Sequence, residues 1–289
     1  MTPISRLFIG ELWKLLKRPM TWALGIILVV LMILIYGTLI GTLLAPDSMG
    51  LEVEVDESMG SSLEQSLLLP DGLFMGIGLV QLIVTALIIV LAAGMVGSDL
   101  AWGTIRTMLM MGAGRTGILV AKILALVTIG LAGVLIGLVL TIIGSLVTGL
   151  AVGEGVQISA WFTAGFFGDA AVLISRAMIG VLVWAAIAAT ITLISRSLAA
   201  GLGASLALLF LGGQMGGLLS QLGSVGVWLG RALPNAGVDA ITQLNALIPP
   251  TYSTSDWAWI LANIIGWLAL LAVVAVVTFR RMDTLAAGS

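Results

Sequence analysis

The chain has 289 residues, 60% hydrophobic and 9% charged, with a formal net charge of −2 and neither cysteine nor histidine. A soluble domain carries about 25% charged residues, so this chain cannot cover a water-facing surface, and its mean hydropathy of +1.20 points to lipid as its solvent. The absence of Cys and His excludes thiol and imidazole chemistry, disulfides and the usual zinc, copper and haem sites.

Residues 1–20 read as an amphipathic helix. Ile4, Leu7, Phe8, Leu12, Leu15 and Leu16 recur at helical spacing, with Arg6, Lys14 and Lys17 on the other side. Such a helix is expected to lie in the membrane interface against anionic lipid, with Pro19 breaking it from the first span. Residues 21–289 are expected to form a single transmembrane domain of six helices, making an all-α membrane protein. The first span, Thr21 to Leu44, exceeds the apolar core of about 7–15 residues in a cleavable signal and is read as uncleaved. Residues 45–72 form an acidic segment read as a solvated external loop, with a cation or substrate vestibule as the alternative. Further spans are expected at about 73–96, 118–150, 170–194, 198–219 and 257–279. Residues 219–256 are external and contain an amphipathic stretch, Pro234 to Leu247, that suits short helices at or dipping into the outer interface.

Lys and Arg set the orientation. Arg6, Lys14, Lys17, Arg18, Arg106, Arg115, Lys122, Arg196, Arg280 and Arg281 fall on one side, and only Arg176 and Arg231 on the other. Most acids lie opposite; Glu11, Asp99 and Asp283 alone share the basic side. The basic side is therefore expected to be the cytoplasm, with both termini there and the chain in the cell membrane.

Between the second and third spans, residues 97–117 hold a literal G-x-G-x-x-G, Gly112 to Gly117. A dinucleotide site needs a strand before it and an acid about 20 residues on. Here a helix capped by Ser98 is expected before it and a membrane span after it, so the motif is a cytoplasmic elbow. Gly112 and Gly114 are expected to turn the chain with positive φ. The short helix ahead of them is either a plain connection or a docking element whose Met108, Met110 and Met111 meet a cytoplasmic protein. No P-loop sequence occurs, so no cofactor is expected on this chain, nor a nucleic-acid partner.

Inside the spans, Arg176 has Asp169 two turns earlier on its own face; it either pairs with that acid or snorkels outward. Gln81, Thr85, Thr141, Ser145 and Gln214 line a polar path or bond neighbouring helices. Gly133 and Gly137 form G-x-x-x-G in the third span. Gly212, Gly213, Gly216 and Gly217 repeat that spacing in the fifth, where a dimer interface is the reading.

Three segments resemble the ABC-2-type permease family, the membrane subunits of type-2 ABC exporters. "ELWKLLKRPMTW", Glu11 to Trp22, looks like the family's amphipathic connecting helix. "SDLAWGTIRTMLMMGAGRTGILVAKILAL", Ser98 to Leu126, looks like its coupling segment, the roles falling on Asp99, Gly103, Thr104, Arg106, Met108, Gly112, Gly114, Arg115 and Lys122. The segment before the last span is similar to the family's re-entrant external helices. Many members have Pro in the coupling turn where this chain has Gly-Ala-Gly. The resemblance implies a permease without its own ATPase motif, paired with a second permease chain, same or homologous. It also implies two ABC ATPase subunits, which bind ATP and Mg and drive export. An ion-coupled secondary transporter is the first alternative, disfavoured because no acid lies well inside a span. A membrane scaffold or assembly protein is the second.

Overall fold

The computed structural model describes residues 3–44, 57–110, 114–153 and 164–281, which are almost entirely helical with no strand among them. In chain order the helices are α1 (Pro3–Lys17), α2 (Pro19–Leu44), α3 (Glu57–Leu67), α4 (Gly72–Ala101), α5 (Thr104–Met110) and α6 (Arg115–Val152). They continue with α7 (Ala164–Ser195), α8 (Leu198–Ser220), α9 (Gly223–Ala232), α10 (Pro234–Gln243) and α11 (Thr254–Arg281). Six of these, α2, α4, α6, α7, α8 and α11, are long and apolar enough to cross a membrane. This is the architecture of a multi-pass membrane protein.

Each expected span coincides with one helix, and the helix ends show where the chain departs from expectation. The chain breaks between α1 and α2 at Arg18, because Pro19 lacks the N–H that would continue the first helix and opens the second instead. The segment 45–72 is not all loop: α3 occupies its second half, while residues 45–56 lie outside the described residues. Ser98 does not cap a new helix. It sits inside α4, donating its hydroxyl to the Met95 carbonyl at 3.2 Å. The break comes at Gly103, whose φ of +64° only glycine adopts readily. Gly114, expected at positive φ, is extended at φ −66° and ψ 137° and opens α6; Gly112 lies outside the described residues.

Helices α4 and α7 form the centre. Their most apolar stretches are 61% and 67% buried, against 17% for α2, α8 and α11. In lipid there is no hydrophobic drive between helices, so close packing must hold them, and glycines admit the approach. A Cβ at Gly133 would stand 3.3 Å from a Val84 methyl, and one at Gly137 would overlap Val80, so this G-x-x-x-G seats α6 on α4. At one end of the bundle Val96, Ile118, Leu193 and Phe279 form a buried cluster. That cluster gathers the last turns of α4, α7 and α11 with the first turn of α6. Helices α9 and α10 lie between α8 and α11, and α10 also packs on α7.

Candidate functional site

Below the end cluster, three helices meet in a knot of charge. Asp99, in the last turn of α4, is fully buried, and Glu11 of α1 is nearly so. A carboxylate at a helix C-terminus faces the negative end of the dipole and needs cations close by. Three surround it. Lys14 Nζ donates to Asp99 Oδ1 at 2.6 Å, and an Arg18 guanidinium nitrogen stands 3.4 Å from the same oxygen. Lys122 of α6 donates to Asp99 Oδ2 and, at 3.0 Å, to Glu11 Oε2. Lys14 also lies 3.4 Å from Glu11.

The local sequence explains the assembly. Glu11 and Leu15, four residues apart, share one face of α1 with Lys14 beside them, and Arg18 follows at the break before α2. Leu15 is fully buried, so that face is pressed inward. Arg18 also lies 5.8 Å from the Trp102 ring centroid, so the turn after α4 is held by the same cation. Separating such charges exposes each to a low-dielectric surrounding at a cost of several kcal/mol per ion (of order 3–5 for a broken pair). The knot therefore couples α1, α4 and α6 stiffly.

Two of the expected coupling residues, Asp99 and Lys122, are thus brought together. Glu11 and Arg18 were not singled out by the sequence, and Lys14 turns into the protein rather than toward lipid. The signal for them was present: Glu11 and Asp99 are isolated acids on an otherwise basic side. Gly103 and Thr104 form the joint from α4 into α5. Met108 packs against the end cluster, whereas Met110 and Trp102 are largely exposed. The Arg106 and Arg115 side chains and Met111 lie outside the described residues.

At the opposite end, of the two readings for Arg176, the pair with Asp169 does not form. Asp169 is exposed, and Arg176 instead donates to the Leu244 carbonyl at 2.8 Å. A helix end in a dry environment needs such a partner. The same logic recurs: Asn263 donates to the carbonyls of Arg231 and Leu233, and Trp267 to that of Ala232. Side chains of α7 and α11 thereby close the ends of α9 and α10. Gln81 donates to Thr242 at 2.7 Å, a helix-to-helix bond, and Gln214 is exposed. Gly212 is covered within the chain by Asn235 and Gly213 faces Asp239. Around Gly216 and Gly217 an added Cβ meets nothing within 4 Å.

No curated protein matches this sequence. Residues 58–285 match a family described as protein of unknown function, DUF2705, a match that takes in Asp99 and Lys122 but stops short of Glu11, Lys14 and Arg18. The chain belongs to the DUF2705 family.

Proposed function

We propose that the chain is the permease subunit of an ATP-binding cassette exporter of the ABC-2 type, forming the translocation pathway with a second permease chain. Two separate ATPase subunits would bind ATP and Mg and supply the energy. The observation that carries this reading is the buried knot of Glu11, Lys14, Arg18, Asp99 and Lys122. A subunit driven from outside needs a stiff link between its peripheral elements and its spans, and the knot ties α1 and the α4–α5 joint to α6. Exposed Met110 and Trp102 beside it offer an adaptable apolar contact to a cytoplasmic protein. In this reading the basic end is cytoplasmic and both termini lie there.

The test is purification in mild detergent from the native membrane. An ABC ATPase is expected to co-elute, and Arg115→Glu is expected to lower its recovery by at least tenfold while leaving membrane insertion intact. Solute movement by the isolated chain in proteoliposomes, on an ion gradient with no ATPase, would overturn the reading.

A further inference from the structure

Between α8, α9 and α10 lies a cavity of about 320 Å³, walled by glycines on one side and by polar side chains on the other. Gly212, Gly213 and Gly216 of α8 leave the room; Asn235, Asp239 and Gln243 of α10 face it. Asn235 is 3% exposed. Its amide nitrogen donates to the Leu208 carbonyl at 3.0 Å, which leaves its Oδ1, buried, with no hydrogen-bond donor. Asp239 lies one helical turn further along the same face, where i and i+4 side chains are neighbours. Among the described residues it has no ion-pair partner. Tyr252, also on the wall, donates its hydroxyl to the Ala240 carbonyl at 3.2 Å, leaving its oxygen an acceptor.

The oxygens of Asn235, Asp239 and Tyr252 therefore accept, and one of them carries charge. A matching ligand donates several hydrogen bonds and is positive. We propose that this cavity binds a protonated primary amine, its ammonium bridging the Asp239 carboxylate and Asn235 Oδ1. The amine belongs either to a soluble alkylamine or to an aminophospholipid headgroup at this end of the bundle. Arg231 of α9 also lines the cavity, with its guanidinium turned onto the Trp259 ring, 5.4 Å from the centroid. The proposal goes beyond the transport reading and stands for a carrier or a scaffold alike.

The site has a pH signature. Asp239 is exposed at the open side of the cavity, and partial desolvation by the chain around its carboxyl pushes it up to about 6. The charged and titratable groups of the packed elements are Arg231 of α9, Asp169 and Arg176 of α7, Asp256 at the start of α11 with Arg280 and Arg281 at its far end, and Tyr252 between α10 and α11; α8 carries none. Hydrogen bonds from Ser253 hold the Asp256 carboxyl below its usual range, away from the window in which Asp239 titrates.

The experiment uses the full chain in phosphatidylcholine nanodiscs, titrated calorimetrically with n-butylamine. Saturable binding at pH 8 is expected to weaken about tenfold at pH 5, where about a tenth of the carboxyl is ionised. Asp239→Asn is expected to abolish it with unchanged helicity. Gly213→Leu fills the space toward Asp239 and is expected to do the same, while Gly203→Leu, in open space on α8, binds as the wild type. If butylamine fails but phosphatidylethanolamine nanodiscs raise the melting temperature of wild type and not of Asp239→Asn, the amine is the lipid headgroup and the proposal stands. It falls if neither probe distinguishes wild type from Asp239→Asn, or if butylamine binds equally at both pH values.

Discussion

Asp99 shows how one residue draws its meaning from what packs on it. In the sequence it is an acid on the basic side, a suitable first-turn residue for a short helix. In the structure it is a last-turn residue of α4, fully buried and held by Lys14, Arg18 and Lys122. Removing its charge leaves buried cations facing a neutral amide, which costs about 3–5 kcal/mol. Asp99→Asn is therefore expected to lower thermal stability in detergent sharply. Lys122→Met placed on top should recover part of that loss, because the two groups interact directly. Strict additivity in this double-mutant cycle would show that the pair is not coupled. Asp239 behaves oppositely. Its carboxyl is raised from 3.8 to about 6, so the folded state holds the proton more tightly than the unfolded chain. Stability is then fully present below pH 4 and falls as pH rises toward 6. Melting curves across that window should show the slope, and Asp239→Asn should flatten it.

At the scale of the helix, glycine position decides what packs where. Gly133 and Gly137 were visible as a close-approach motif, but the sequence does not say which helix approaches. The structure assigns them to α4, against Val84 and Val80. Gly76 and Gly144 do the same for Thr141 and Tyr36. Gly137→Ile is expected to cost about 1–3 kcal/mol by overpacking, read as a lower melting temperature; Gly10→Ile, where an added Cβ meets nothing, is the control. Of the short helices, α10 was legible from the amphipathic stretch and Pro234, whereas α9 lies before that stretch. Their caps were not, because Asn263 and Trp267 lie some thirty residues further on and Arg176 lies well before. A helix end finds its partner in space, and spacing along the chain carries no trace of it.

For the whole molecule, the lack of cysteine allows orientation to be read directly from single introduced cysteines. Lys17 and Thr251 are exposed, before the first span and before the last. Under the proposed topology an impermeant maleimide labels Thr251→Cys on intact cells and Lys17→Cys only after permeabilisation. Labelling of both from the same face would overturn that topology.

The sequence by itself determined the solvent, the helical class, the number of long apolar helices and the break at Pro19. These depend on local composition and on backbone chemistry that a window of about 20 residues contains. It also exposed Asp99 and Lys122 as residues of one segment. Only the tertiary structure decided that Glu11, Lys14 and Arg18 join them, that Met108 turns inward, and that Arg176 caps a helix rather than pairing with Asp169. It also decided that Asn235 and Asp239 share a cavity with the glycines of α8. Each of these contacts joins distant parts of the chain. In a medium without water, a buried charge or carbonyl takes whichever partner the packing brings within reach.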